Sequence, residues 1–246
     1  MRRIMPLSFT DILSSSQVFT KLIRHRMSKN LREYLQIRVI PRLWIKHRKN
    51  ILRLLQNPLL IADLAAPLLR GQCCRVKYLI LRRRVIIGRR FQVVGRLDIK
   101  GPGTVIFGDD CTVISSRIAP VTPYTHSPAA VLQFGDRVVV NGTRFGCYQR
   151  IEIGEDCLLA DARIMDTDFH AVEIQGKRRW HSVGVSKPVL LGPNVWVCAG
   201  VMILKGVTIG ANSVVAAGSI VTRDVLPNSI AAGNPATVVK TLQAPT

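Results

Sequence analysis

The chain has 246 residues, of which 48% are apolar, and its 35 Lys and Arg against 15 Asp and Glu give a net charge of +20. This size and composition suit one large domain with an extension and exclude an intrinsically disordered chain. The longest apolar stretch, Pro58 to Leu69, is short and contains Asp63, so we expect no membrane-spanning helix. The first residues lack the apolar segment of a signal peptide, and the six cysteines form no CxxC pair. Together these features predict a cytoplasmic protein with reduced thiols.

The positive charge is concentrated in the first third of the chain. Residues 1–90 hold 21 of the Lys and Arg residues but only 3 of the acidic ones. Between Phe19 and Leu55 the apolar residues recur every three or four positions with Arg and Lys between them, which predicts amphipathic helices. From about Val85 onward, glycine and β-branched residues replace this pattern. We therefore predict a basic, mainly helical extension over residues 1–84, followed by a different kind of domain.

A six-residue period runs through the C-terminal part of the chain. Every sixth residue is Leu, Ile or Val, and a small residue stands four positions after each of them. The aliphatic positions are Leu191, Val197, Ile203, Ile209, Val215 and Val221, and the small ones are Val195, Val201, Val207, Ser213, Ser219 and Val225. Neither an amphipathic helix nor an alternating hairpin has this period. It predicts a β-solenoid in which three short strands form a triangular coil of about 18 residues around an aliphatic interior.

The same period extends toward the N-terminus with interruptions. Four dipeptides fit the template: Ile87-Gly88, Phe107-Gly108, Phe134-Gly135 and Ile153-Gly154. The stretches at about 119–131 and about 166–188 break the period, so we predict two loops inserted into the coil, where solenoids often carry binding residues. The predicted solenoid domain spans residues 85–240, and residues 241–246 form a tail.

The hexads and the segment Ala231-Ala232-Gly233-Asn234-Pro235-Ala236 after them resemble the left-handed β-helix hexapeptide-repeat acyltransferases. The segment Asp166-Thr167-Asp168-Phe169-His170 resembles the catalytic loop of their sugar O-acetyltransferase branch. The resemblance implies a mainly β fold, a left-handed parallel β-helix, and a homotrimer that binds acetyl-CoA between its subunits. The left hand rests on the resemblance alone, because crossover connections are usually right-handed. The implied reaction moves an acetyl group to a hydroxyl of a saccharide, which would be a polysaccharide, a glycolipid or a sugar precursor, and N-acetylation of an amino sugar stays open.

The resemblance assigns His170 as the general base of this reaction. A hydroxyl is a poor nucleophile until its proton is removed, and the ordinary pKa of histidine suits this task at neutral pH. In the family, the hydroxyl then attacks acetyl-CoA directly, without an acyl-enzyme. Asp166 or Asp168 is the candidate partner that would orient His170, although both residues also suit a turn. Asn141 is a candidate acceptor contact, with an ordinary Asn-Gly corner as the alternative.

The resemblance also places coenzyme A along the C-terminal coils. Trp196 occupies a position that points away from the interior, and it would be a wall for the pantetheine arm or be buried against the next subunit. The other candidate coenzyme A contacts are Ala199, Ala217, Thr222, Arg223 and Lys240. A cation suits the phosphate end of this ligand. Trp180 and His181, in the second half of the inserted loop, are candidates for contact with the acceptor.

Two other functions stay open for such a coil. The γ-class carbonic anhydrases share it and bind zinc with three histidines; His126, His170 and His181 supply that number with a different spacing, and we expect no metal. A non-catalytic solenoid that binds a membrane would not bind coenzyme A. The basic extension is a candidate for docking to an anionic surface on the inner face of the membrane, or for a helical cap on the open end of the coil. We expect no nucleic-acid partner, because the sequence has no base-reading motif.

Overall fold

The computed structural model describes residues 58–172, 182 and 184–243, with side chains from residue 65 onward. The helices predicted between Phe19 and Leu55 lie outside these residues. The described part begins with one helix, α1 (Pro58–Ile80), which contains Pro67. Within the described residues no helix is both long and apolar enough to cross a membrane.

Nineteen short strands follow α1 in the described residues and form three sheets. Sheet A contains β1 (Val85–Ile87), β3 (Thr104–Phe107), β6 (Val131–Phe134), β9 (Arg150–Ile153), β12 (Val189–Leu191) and β15 (Thr208–Ile209). Sheet B contains β2 (Gln92–Gly95), β4 (Thr112–Ser115), β7 (Val139–Asn141), β10 (Leu158–Ala160), β13 (Trp196–Val197), β16 (Val214–Val215), β18 (Ser229–Gly233) and β19 (Ala236–Thr241). Sheet C contains β5 (Thr122–Thr125), β8 (Arg144–Cys147), β11 (Arg163–Met165), β14 (Met202–Ile203) and β17 (Ile220–Val221).

From β3 to β17 the chain passes through the sheets in the order A, B, C, so that each turn of the coil adds one strand to each sheet. Neighbouring strands are parallel, except that β19 runs antiparallel to β18. In the C-terminal coils the paired residues are 18 apart, as the register of Leu191 with Ile209 illustrates. This arrangement is the predicted triangular β-solenoid.

The interior of the coil is filled by the residues that the hexads predict. All twelve aliphatic and small hexad positions between Leu191 and Val225 are buried. In the earlier coils larger rings take the same place, because Phe107 stacks on Phe134 with ring centroids 4.5 Å apart and Phe91 lies 4.8 Å from Phe107. Each fully buried side chain of this kind contributes roughly 1.5–3 kcal/mol, so the interior column is the main source of stability.

The corner between sheets A and B holds successive coils in register. A Cβ atom at Gly154 would lie 2.6 Å from the carbonyl carbon of Gly192 in the next coil, which leaves no room for a side chain. On the same corner the amide of Asn194 donates to Asn212, and the amide of Asn212 donates to Asn228, both at 3.0 Å. Close backbone contact and a ladder of amides thus fix the stacking here.

The prediction of a loop at 119–131 is wrong for its central part, because β5 is a strand of sheet C. It pairs with β8 and sets Pro123 opposite Phe145. Proline has no N–H to donate, but an edge strand tolerates it, and β5 is the terminal strand of its sheet. The second predicted loop leaves after β11 and returns at β12, and its two ends are joined by an antiparallel bridge between Thr167 and Ser186. Residues 173–181 and 183 of this loop lie outside the described residues.

Secondary structure covers both ends of the coil. At the N-terminal end, the C-terminal half of α1 packs on the first coil, where the buried hydroxyl of Tyr78 accepts a hydrogen bond from the N–H of Ile99 at 2.8 Å. Gly71 has no room for a side chain, because the carbonyl of Phe91 lies against it. At the C-terminal end, β19 folds back antiparallel on β18, the last parallel strand of sheet B. This part of the basic extension is therefore a helical cap on the coil.

Candidate active site

His170 lies on the loop that leaves sheet C after β11, and its side chain is exposed. The preceding residue, Phe169, has a φ of 60°, which is unusual for a bulky side chain. Its ring covers Gly146 of β8, where a Cβ atom would lie 2.6 Å from Phe169 Cζ. The N–H of His170 donates to the carbonyl oxygen of Asp168 at 2.7 Å. The loop therefore folds tightly on the edge of sheet C and leaves the imidazole accessible.

Asp166 holds the corner from which this loop starts. It is 0% exposed, and its carboxylate accepts hydrogen bonds from the N–H groups of Tyr148, Gln149 and Arg150, each at 2.7 Å. Such charge-assisted bonds are stronger than bonds between neutral groups. Both carboxylate oxygens are engaged in this way, so we correct the expectation that Asp166 orients His170. Asp166 acts instead on the backbone of the preceding coil.

Asp168 anchors the loop from its other side. Lys205 Nζ donates to Asp168 Oδ1 at 2.7 Å, and both side chains are partly exposed. Lys205 follows β14, so this ion pair joins the loop to the next coil. Within the described residues, neither Asp166 nor Asp168 forms a hydrogen bond with the imidazole of His170. Asp168 therefore contributes to the position of the loop rather than to the orientation of the imidazole.

A second histidine, His126, lies beside the loop. Its ring stacks on Tyr124 with centroids 3.9 Å apart and meets the ring of Phe169 edge-on at 5.0 Å. Burial lowers the pKa of His126 below its ordinary value, although the negative charge of Asp166 acts in the opposite direction. From the sequence alone, His126 is a candidate only for the zinc alternative. The missing signal is strand β5, because His126 directly follows it. The register of β5 with β8 places His126 at the same corner as the His170 loop.

The described residues contain no group of three or more His, Cys, Asp or Glu side chains placed to hold a metal ion. His126 and His170 flank Phe169, whereas His181, the third histidine of the zinc alternative, lies outside the described residues. Trp180, the other acceptor candidate of that segment, lies outside them as well.

The remaining acceptor candidate and two coenzyme A candidates share the corner between sheets B and C. Asn141 is exposed, and its carbonyl accepts the N–H of Asp161 at 2.7 Å. In the coil after Asp161, the carbonyl of Ala199 accepts the N–H of Gly218. Gly218 follows Ala217, whose side chain is exposed. Asn141, Ala199 and Ala217 therefore lie along one edge of sheet C.

The other coenzyme A candidates lie elsewhere on the coil. Trp196 is 48% exposed on the outer face of sheet B, between Leu158 and Val214, and this confirms its predicted outward position. Thr222 and Arg223 are exposed and follow β17, at the corner between sheets C and A. Lys240 is exposed in β19.

Sheet C separates these residues into two groups within one protomer. His170, Lys205 and Arg223 lie at the edge next to sheet A, whereas Asn141 and Ala199 lie at the edge next to sheet B. Strands of three or four residues span about 10–13 Å at about 3.3 Å per residue.

Residues 188–223 match the family model described as bacterial transferase hexapeptide (six repeats). The C-terminal coils of the solenoid thus carry the hexapeptide repeat of bacterial transferases. This chain is 40% identical over 90 residues to galactoside O-acetyltransferase of Escherichia coli (strain K12), over 37% of this chain and 43% of that protein. It is 46% identical over 74 residues to the putative acetyltransferase YJL218W of Saccharomyces cerevisiae, over 30% of this chain and 37% of that protein. The matches thus span less than half the length of these curated relatives.

A solved structure has the same fold. AntD, an N-acyltransferase from Bacillus cereus in complex with dTDP and 3-hydroxybutyryl-CoA, is 18% identical, with a TM-score of 0.51. The match covers 69% of this chain and 88% of that chain. At this identity the likeness concerns the fold alone, and it confirms the left-handed parallel β-helix that the family resemblance implies.

Proposed function

We propose that this protein is an acetyl-CoA-dependent O-acetyltransferase that acts on a hydroxyl of a saccharide, with His170 as its general base. The observation that carries the proposal is an exposed histidine on a loop that is fixed from three sides. Asp166 holds its start, Phe169 packs on sheet C, and Asp168 joins it to Lys205. The similarity to galactoside O-acetyltransferase supports acetyl transfer and a saccharide acceptor.

In this reaction the imidazole of His170 accepts the proton of the acceptor hydroxyl as its oxygen attacks the thioester carbonyl. The new carbon–oxygen bond forms, the carbon–sulfur bond breaks, and the proton passes to the departing thiolate of coenzyme A. Backbone N–H groups would stabilise the negative charge that develops on the carbonyl oxygen. The exposed guanidinium of Arg223, which has no ion-pair partner among the described residues, suits a phosphate group of coenzyme A.

The proposed active form is a homotrimer. The separation of His170 and Asn141 by sheet C supports a site between adjacent protomers. The outer face of sheet B also exposes a row of apolar side chains in which Leu158, Trp196 and Val214 are neighbours. Exposed apolar area of this kind is typical of an interface. Replacement of Trp196 by glutamate should shift the mass measured by light scattering from trimer to monomer, and an unchanged mass would contradict this assignment.

The test of the function combines binding and turnover. The native protein should bind acetyl-CoA in calorimetry and hydrolyse it slowly in the absence of an acceptor. His170→Ala should bind acetyl-CoA with similar affinity but lose about 100-fold or more in turnover, which is typical for removal of a general base. The control, Arg89→Ala, replaces an exposed residue at the corner between sheets A and B, away from the His170 loop, and should keep both properties. If the native protein does not bind acetyl-CoA, the proposal is wrong and the coil serves another purpose.

We further propose that the protein associates with the inner face of an anionic membrane. Apolar side chains at the end of α1 support this, because Leu79 and Ile80 are about three-quarters exposed, at 76% and 74%, directly before Arg82 and Arg83. Apolar residues beside cations are typical of segments that lie on a membrane surface. The protein should float with vesicles that contain an anionic lipid and not with purely zwitterionic ones. Equal behaviour with both would contradict this location.

A further inference from the structure

Two sets of cations on the described solenoid differ in their pairing. On sheet A and its corner with sheet B, arginines form ion pairs with carboxylates of the same strand or of the next coil. The pairs are Arg89 with Asp109, Arg90 with Asp110, Arg137 with Glu155 and Asp156, and Arg150 with Glu152. On sheet C and its corner with sheet B, five cations have no ion-pair partner in the part of the chain that the structure describes. These five, which we name the cationic track, are Arg96, Lys100, Arg117, Arg144 and Arg163.

Three members of the track line one open cleft. The cleft has a volume of about 730 Å³ and lies between the end of β2 and the start of β5, with Arg96, Lys100 and Arg117 in its walls. Its carboxylate, Asp98, lies 3.6 Å from the ammonium group of Lys77 outside the cleft. The walls therefore carry an excess of positive charge. Such a cleft concentrates anions near its surface.

The other two members continue the track along sheet C. Thr122 lines the cleft and is paired with Arg144, which is in turn paired with Arg163. Both arginines are exposed and each is followed by a buried residue, so their side chains stand on the outer face of the sheet. Adjacent strands are about 4.8 Å apart, so this row extends roughly 10 Å from the cleft along the axis of the coil.

The row of arginines and the His170 loop share the outer face of sheet C. Two residues further along the same strands, Tyr124 is paired with Gly146, and the ring of Phe169 lies over Gly146. Tyr124 is partly exposed and stacked on His126. An aromatic ring with a hydroxyl thus lies between the track and His170, and such a ring offers an apolar face and a polar edge to a ligand.

We propose that the cationic track binds a polyanionic saccharide and guides one of its hydroxyl groups to His170. This inference rests on the proposed O-acetyltransferase function and specifies its acceptor as a glycan with repeated acidic groups. Five cations spread over four successive coils match several anions along a chain, whereas a single anion would contact only a part of them. Their mutual repulsion is relieved when such a chain binds.

The experiment measures glycan binding in the absence of acetyl-CoA. The probe is a fluorescein-labelled oligogalacturonate of about ten residues, and binding is followed by fluorescence anisotropy as the salt concentration rises. A labelled maltooligosaccharide of equal length tests the role of charge, and an oligothymidylate of equal charge tests a nucleic-acid ligand. The variant R144Q/R163Q removes two track cations, and the control R89Q/R90Q removes two cations of the paired set.

We expect the oligogalacturonate to bind most tightly and its affinity to fall with salt, because salt screens exposed charges. R144Q/R163Q should weaken binding by about tenfold or more, whereas R89Q/R90Q should change it by less than about twofold. Equal binding of the neutral oligosaccharide, tighter binding of the oligothymidylate, or equal losses in the two variants would overturn the inference. Because this assay needs no turnover, failure of the native protein to bind or hydrolyse acetyl-CoA would contradict only the proposed function.

Discussion

Replacement of Asp166 by asparagine tests whether this carboxylate holds the corner beneath the His170 loop. Oδ1 accepts the N–H of Tyr148, and Oδ2 accepts those of Gln149 and Arg150. An asparagine in either orientation turns its NH2 group toward at least one of these donors and leaves that donor buried without an acceptor. A hydrogen bond to a charged group contributes about 1.5–3 kcal/mol, and the bonds that remain to a neutral oxygen are about half as strong. We therefore expect Asp166→Asn to lower the free energy of unfolding by about 3–5 kcal/mol.

Scanning calorimetry should detect this loss as a fall in Tm of about 6–20 °C, since a chain of this size loses about 2–4 °C per kcal/mol. Variants must be compared at one protein concentration, because association raises Tm. The control is Asp161→Asn, at an exposed position with a φ of 44° that asparagine tolerates, where the Tm should change by about 2 °C or less. If Asp166→Asn keeps the native Tm and yet loses turnover, the carboxylate acts on His170 and the structural reasoning is refuted.

Three further changes probe the surroundings of His170. Lys205→Met breaks the partly exposed pair with Asp168, which contributes only about 0.2–1 kcal/mol to stability; Tm should therefore hardly change, while steady-state turnover falls because the loop loses its anchor. Gly146→Ala sets a Cβ atom 2.6 Å from Phe169 Cζ, so turnover should fall while acetyl-CoA affinity measured by calorimetry is kept. The pKa of His126 is lowered in the folded protein, so the folded state favours the neutral imidazole. Its contribution to stability is therefore complete above about pH 6.5 and is lost as the pH falls through the folded pKa. His126→Phe should flatten the dependence of Tm on pH over this range.

Each of these changes has an outcome that contradicts its reasoning. Native turnover in Lys205→Met would mean that the loop needs no anchor at Asp168. Native turnover in Gly146→Ala would mean that the place of Phe169 does not matter for His170. A pH profile of His126→Phe that runs parallel to the native one would assign the acid sensitivity to another group.

The interior of the coil was predictable because the six-residue period of its aliphatic residues can be counted in the sequence. Each hexad contributes one aliphatic residue to a strand, and burial follows from that position alone, as Val197 and Ile203 illustrate. The exposed place of Trp196 followed from the same count. Local sequence is sufficient here, because three strands of equal length return the chain to the same sheet in every coil.

Contacts between coils were not predictable in the same way. Asp166 bonds to residues 16 to 18 positions earlier, and an inserted loop of different length changes which residues meet. Pro123 suggested a loop, since the sequence does not show that β5 is an edge strand. Whether an arginine is paired with a carboxylate, as Arg89 is, or unpaired, as Arg144 is, also depends on the stacking of coils.

The covered ends of the coil limit how copies of this chain can assemble. A parallel β-coil has no intrinsic stop, because its last strand presents free N–H and carbonyl groups to which another strand can add. Here α1 blocks the first coil, and the antiparallel return of β19 occupies the free side of β18. End-to-end growth into a fibre is therefore disfavoured at both termini of the solenoid. In the proposed homotrimer, association through the flanks closes into a ring of fixed size rather than an open filament.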